Sequence, residues 1–167
     1  MNFSLLPKII VPALTDVSED LLRSRGIKLL MLDFDNTIVP YTTSKPTETM
    51  EKWLRDMAAS DIQLCVVSNS HKDRVKIFCE QYGIPCITHA KKPFSRGIKA
   101  CLAKFKANPW ECALVGDQIF TDTMGANATG VTSILVNAID NHNIWLKLRH
   151  VAEMPFILMA GKRRIKI

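Results

Sequence analysis

Residues 31–37, Met-Leu-Asp-Phe-Asp-Asn-Thr, end an apolar run in two carboxylates two positions apart. That spacing is the strand period, so Asp33 and Asp35 point to one side. Like charges held together repel unless a cation sits near them or one is protonated. Three further polar clusters each follow an apolar run: Ser68-Asn69-Ser70, Lys91-Lys92-Pro93, and Gly116-Asp117 with Thr121-Asp122 close behind. Their shared composition is carboxylate, hydroxyl and lysine. Asp33 and Asp117 are the hard oxygen ligands that Mg²⁺ takes alongside a phosphate. A lysine with hydroxyl and amide donors suits a phosphoryl group. An aspartate can attack phosphorus to form an aspartyl-phosphate. A second aspartate can protonate the leaving group and then deprotonate the attacking water. Lys91 and Lys92 are alternatives for the site lysine. Taken singly, each cluster is also what a solvated turn, a helix cap or a surface lysine pair looks like; their order along the chain gives them weight.

That order depends on the elements between the clusters. Short apolar runs at 28–34, 62–67, 84–88, 112–115 and 131–136 read as five strands buried on both faces. Met50, Trp53, Leu54 and Met57 fall at helical spacing after Thr47, a predicted N-cap. Val75, Phe78, Cys79 and Tyr82 follow Ser70 and stop at Gly83, and Ile98, Cys101, Leu102 and Phe105 form a third stripe. The alternation predicts an α/β fold with a mostly parallel five-stranded sheet and right-handed crossovers. Ligands in such folds bind beyond the carboxyl ends of the strands, where all four clusters fall.

The set DxDxT at 33–37, Ser68, Lys91-Lys92 and GDxxxTD at 116–122 resembles the four motifs of the haloacid dehalogenase (HAD) superfamily, over residues 28–136. The resemblance implies a three-layer Rossmann-like domain and Mg²⁺-dependent phosphoryl transfer. By position it makes Asp33 the nucleophile, Asp35 the general acid/base, Thr37 a support of the motif and Ser68 a phosphoryl ligand with Asn69 beside it. Lys92 is preferred over Lys91, because "KKP" resembles the "KP" of subfamily IIIA. Asp33, Asp117 and the backbone carbonyl of Asp35 would hold Mg²⁺, and Asp122 would orient its water shell. The gaps between Thr37 and Ser68 and between Ser70 and Lys91 leave no room for a cap domain. The layout of "LLPKIIVPAL", "GIKLLMLDFDNTIVP", "VVSNS", "AKKP" and "GDQIFTD" looks like the phosphatidylglycerophosphatase branch of that subfamily. This implies a lipid phosphate as substrate. The alternatives are a sugar phosphate or nucleotide enclosed with the help of a second subunit, so that a homo-oligomer supplies the lid, or a non-catalytic binding module.

Length and charge fit this reading. The 167 residues, 47% hydrophobic and 23% charged, suit one domain spanning 1–167. No apolar run reaches the roughly 20 residues of a membrane span. The N-terminal stretch is broken by Pro7, Lys8 and Pro12 and does not read as a signal peptide. Five widely spaced cysteines without CxxC predict free, buried thiols in a reducing, cytoplasmic compartment. Of the net charge of +6, most lies in 141–167, with Lys147, Arg149, Lys162, Arg163, Arg164 and Lys166 against Glu153. With Trp145 and the apolar residues after Pro155, this segment predicts either packing on the core or peripheral contact with an anionic inner membrane face. Nucleic acid is not an expected partner, since few aromatic residues interleave these charges.

Overall fold

The computed structural model describes residues 4–71, 73–140 and 144–161. Its centre is a six-stranded, wholly parallel sheet: β1 (Ile9–Ile10), β2 (Leu29–Leu32), β3 (Gln63–Val67), β4 (Cys86–Ile87), β5 (Cys112–Gly116) and β6 (Thr132–Leu135). The order across the sheet is β1-β6-β5-β2-β3-β4. Five of these strands fall on the expected apolar runs, β5 extending one residue past its run to Gly116. The sixth, β1, raises the expected count by one. Its two residues pair with Ile134 and Leu135 at the sheet edge. Pro7 and Pro12 flank it, and an edge strand tolerates proline where a central one does not. Two residues between prolines carry no periodicity to read, so the segment looks like a lead rather than a strand.

β2 is fully buried and pairs with β3 on one side and β5 on the other. Leu30 and Leu32 face a core shared with Leu22 of α1 (Glu19–Ser24), Trp53 and Leu54 of α2 (Glu48–Ala58) and Phe78 of α3 (Asp73–Tyr82). Leu29 and Met31 face the opposite core, with Ile98 and Cys101 of α4 (Arg96–Phe105) and Ala126 of α5 (Met124–Thr129). The chain steps outward from β2 through α2 and α3 on one face. It then returns across the sheet and continues through α4 and α5 on the other. A constant right-handed crossover requires that exchange of faces. The reversal beside β2 opens a crevice at the carboxyl ends of β2, β3 and β5.

Local signals agree with the helix boundaries. Thr47 Oγ1 accepts from the Met50 amide at 3.2 Å and caps α2. Trp53 Nε1 donates to the carbonyl of Val17 at 2.9 Å, tying α2 to the segment before α1. A single helix joins β2 to β3, and another joins β3 to β4. Among the described residues these connections hold no cap domain. All five cysteines are free, and all but Cys86 are buried.

A last helix, α6 (Ile144–Gly161), follows β6. It packs on the core side through Glu153, which is 2% exposed, and Ala160. Met154, Leu158 and Met159 remain on its outer side. The side chains of Trp145, Lys147 and Arg149, and all of Lys162, Arg163, Arg164 and Lys166, lie outside the described residues.

Candidate active site

β2 delivers Asp33 to the crevice, and the turn after it delivers Asp35 and Thr37. Asn36 makes this turn in the left-handed conformation (φ 67°), which asparagine tolerates better than most residues. Its amide N–H bonds the carbonyl of Val39 at 2.7 Å, and its side-chain oxygen accepts from the Asp140 amide at 3.1 Å. β3 delivers Ser68 and Asn69. β5 delivers Asp117, and the wide π-type turn at Ile119–Thr123 delivers Asp122.

Lys92 is the residue these elements converge on. Its Nζ lies 2.6 Å from Asp33 Oδ1 and 2.6 Å from Asp122 Oδ1, with its side chain 1% exposed. Lys91, by contrast, is exposed. Its left-handed backbone (φ 55°) turns the chain between the two lysines, so one faces out and the next faces in. Of the two, Lys92 is the one whose side chain enters the crevice. Asn69 secures it: the amide Nδ2 donates to the Lys92 carbonyl at 2.9 Å, and Oδ1 accepts from the Lys92 amide at 2.7 Å. Asn69 thus stands beside the expected phosphoryl position with both ends of its amide engaged on the lysine backbone. Ser68 is buried, and its hydroxyl accepts from the Ser70 amide at 3.0 Å. Thr37 Oγ1 lies 3.4 Å from Asp117 Oδ1.

Carboxylate oxygens of Asp33, Asp117 and Asp122 lie within 4.8 Å of one another. Three hard donors around one point fit a small divalent cation such as Mg²⁺. The charges state the same need. Burial, and behind it the neighbouring Asp122 and Asp35, push the Asp33 carboxyl up to about 7, although Lys92 pulls the other way. Burial alone would lower Lys92, but Asp122 and Asp33 outweigh it and hold the ammonium above the ordinary lysine range. One lysine therefore leaves excess negative charge among buried carboxylates. The Asp35 carboxylate stands apart from this cluster, in an ion pair with Arg74.

Asp122 is held at both oxygens. Oδ1 takes Lys92, while Oδ2 accepts from the Gln118 amide and the Thr121 hydroxyl, each at 3.3 Å. Gly116 makes room for it: a methyl group there would overlap the Asp122 carboxyl.

Several residues that shape the site are absent from the sequence reading. Arg74, in the first turn of α3, bridges Asp35 to the carbonyls of Tyr41 (2.9 Å) and Thr43 (3.0 Å) and lies over the Phe34 ring at 5.1 Å. It fixes the acid and the following loop together. Cations are locally unfavourable at a helix N-terminus, so an arginine there was the one available sign of a tertiary partner. Tyr41 and Gln118, which line an open cleft of about 410 Å³ with Asp33, Asp35, Ser68 and Lys92, carry no such sign. Glu153 of α6 accepts from the Ile119 amide at 3.0 Å, at the start of the turn that carries Asp122. Nothing local in the sequence marks it.

The site is thus an aspartate at the end of the central strand of a doubly wound sheet, with a buried lysine shared between two carboxylates. The chain belongs to the mitochondrial PGP phosphatase family, whose model matches residues 2–139. It is 32% identical over 159 residues to the probable phosphatase YqeG of Bacillus subtilis, covering 95% of this chain and 92% of that protein. It is 34% identical over 137 residues to the mitochondrial phosphatidylglycerophosphatase GEP4 of Saccharomyces cerevisiae, covering 74% and 73%. Among solved structures it resembles the cobalt-bound deoxy-D-mannose-octulosonate 8-phosphate phosphatase of Haemophilus influenzae. That likeness has a TM-score of 0.54 at 12% identity over 83% of this chain and 91% of the other, and is one of fold.

Proposed function

We propose that this phosphatase is Mg²⁺-dependent, works through an aspartyl-phosphate and removes the phosphomonoester of a lipid headgroup, converting phosphatidylglycerophosphate to phosphatidylglycerol. The observation that carries the reading is Lys92 held between Asp33 and Asp122 in a cleft that no cap covers. Asp33 is the nucleophile at the end of the buried central strand. As its attack on phosphorus breaks the P–O bond, Asp35, protonated at the start of this step, gives its proton to the alcohol oxygen and is left as the carboxylate that pairs with Arg74. Asp35 then takes a proton from the water that hydrolyses the aspartyl-phosphate, which regenerates Asp33. Lys92 balances charge on the transferring phosphoryl oxygens, with Ser68 and Thr37 close by. Asp33, Asp117 and Asp122, with the backbone carbonyl of Asp35, would hold the Mg²⁺, which supplies further neutralisation of phosphoryl charge.

An uncapped cleft suits a phosphate displayed on something large. The yeast relative carries the name phosphatidylglycerophosphatase. No helix among the described residues is long and apolar enough to cross a membrane. On this reading the protein works as a peripheral visitor to the cytoplasmic membrane face, with Met154, Leu158 and Met159 of α6 outward and the basic residues of 162–167 next in the sequence.

The test is phosphate release from phosphatidylglycerophosphate in mixed micelles, with and without Mg²⁺, beside a panel of water-soluble esters and the Asp33→Asn protein. Mg²⁺-dependent turnover that favours the lipid and vanishes in the variant is expected. Preference for a sugar phosphate or nucleotide, together with a stable oligomer in sedimentation, would replace the lipid with a small substrate lidded by a second subunit.

A further inference from the structure

Basic charge in this chain is not confined to the C-terminal segment. Between Lys91 and Trp110 there are six lysines and arginines and no acid. Lys92 is buried in the site, while Lys91, Arg96, Lys99, Lys104 and Lys106 are exposed. α4 spends Gly97, Ile98 and Cys101 on the sheet, with Leu102 and Phe105 partly buried beside them. On the solvent side of α4, Arg96 and Lys99 lie one turn apart, and Lys104 is exposed on the other flank, about 140° round from Lys99. The adjoining α5 carries no charged residue to neutralise them.

Phe94 stands just before α4. It is 74% exposed, more than any other large apolar side chain among the described residues. Its amide donates to the Lys91 carbonyl at 2.9 Å in a tight turn, and it lies two residues from Lys92, within about 7 Å along the chain. A phenylalanine held in water beside an active-site lysine, ahead of a run of cations, matches an interface that is apolar inside and anionic at its surface. A nucleic acid would share the charge. It would also want aromatic residues interleaved with it for stacking, whereas here the exposed Phe94 and Trp110 stand at the two ends of the run and Phe105, between the cations, faces the core.

We propose that Phe94 and the cationic face of α4 form an edge that docks this protein on an anionic lipid bilayer, with Phe94 entering the interface beside the open cleft. The purpose of the edge rests on the lipid-phosphatase reading; its existence as a bilayer-binding surface can be tested separately. The edge brings the cleft to phosphates displayed at headgroup level without withdrawing the lipid.

The experiment is co-sedimentation of the full chain with phosphatidylcholine vesicles, with and without phosphatidylglycerol. The wild-type protein is compared with Phe94→Ala and with the double variant Lys99→Glu/Lys104→Glu. Turnover of p-nitrophenyl phosphate, and of phosphatidylglycerophosphate in detergent micelles, is followed for each. Phe94→Ala is expected to weaken partitioning about tenfold. The double variant should weaken it by at least about twenty-fivefold, and only on vesicles that contain the anionic lipid. All three proteins should hydrolyse p-nitrophenyl phosphate alike. Wild-type protein that ignores anionic vesicles, variants that bind as well as wild type, or tighter binding to a single-stranded oligonucleotide than to vesicles would each overturn the proposal. Failure to hydrolyse the lipid in micelles would instead overturn the substrate reading and leave the vesicle result standing.

Discussion

At the scale of single residues, the site is an electrostatic problem left half solved. Three carboxylates meet one ammonium, and Asp33 answers by holding its proton up to about 7. A carboxyl whose pKa is higher in the folded protein than in the unfolded chain favours folding while it stays protonated. It costs stability as pH rises from 3.8 toward 7. A divalent cation binds the ionised form and must displace that proton, so its affinity rises across the same window. Metal-free protein is therefore expected to lose thermal stability between acidic and neutral pH, and Mg²⁺ to restore more of it at the upper end. Melting curves in chelator and in Mg²⁺ across that range check this. A Mg²⁺ effect that is flat or falls with pH would mean that Asp33 is not among the ligands. Arg74 presents a different problem, one of placement. Lysine can keep the charge beside Asp35, but it cannot also reach the carbonyls of Tyr41 and Thr43 from a planar fork. Arg74→Lys is expected to lower kcat by up to about a hundredfold, as a misplaced acid would. The loss should be greatest for esters with poor leaving groups. An equal loss for p-nitrophenyl phosphate, whose leaving group needs little protonation, would detach Arg74 from the acid.

At the scale of elements, β2, β3 and β5 were legible in the sequence because they are central, whereas β4, a two-residue edge strand, showed only through the apolar run around it. A strand buried on both faces must be apolar throughout, and such a run stands out even at four or five residues. β1 was hidden because an edge strand of two residues between prolines has no pattern to show. The motif residues were legible for a related reason: each must sit at a strand's carboxyl end, so chain order preserves their arrangement. Arg74 and Glu153 were not, because each acts across elements far apart in sequence. Glu153 reaches from α6 to the Ile119 amide 34 residues away. The turn it braces depends on a second feature of β5. Gly116 lies directly beneath the Asp122 carboxyl, with no space for a methyl group. Gly116→Ala must push that carboxylate off Lys92 or bend the turn, at a cost of about 1–3 kcal/mol. The expected result is a lower denaturant midpoint together with a raised Mg²⁺ requirement for activity. A loss of stability with an unchanged Mg²⁺ requirement would show that the glycine serves packing alone.

At the scale of the whole molecule, α6 touches the site on one side and solvent on the other. Its Glu153 and Phe156 face the catalytic turn, the latter edge-on to Phe120 with ring centroids 6.2 Å apart. Its outer side carries Met154, Leu158 and Met159, and Lys162, Arg163, Arg164 and Lys166 follow it in the sequence. Cutting the chain after Gly161 removes those four cations and leaves the contacts with the turn. Each cation near an anionic surface contributes roughly 1 kcal/mol, weakened by salt. If the tail and the α4 edge hold one bilayer together, losing either leaves the other to bind without the benefit of linkage. Truncation at Gly161 is then expected to weaken binding to anionic vesicles by at least about tenfold in low salt, with a smaller difference in high salt. Hydrolysis of p-nitrophenyl phosphate should be unchanged, because no residue of the cleft has moved. Equal losses on vesicles and on the small ester would place the tail in support of α6 and its turn, and would leave membrane contact to the α4 edge alone.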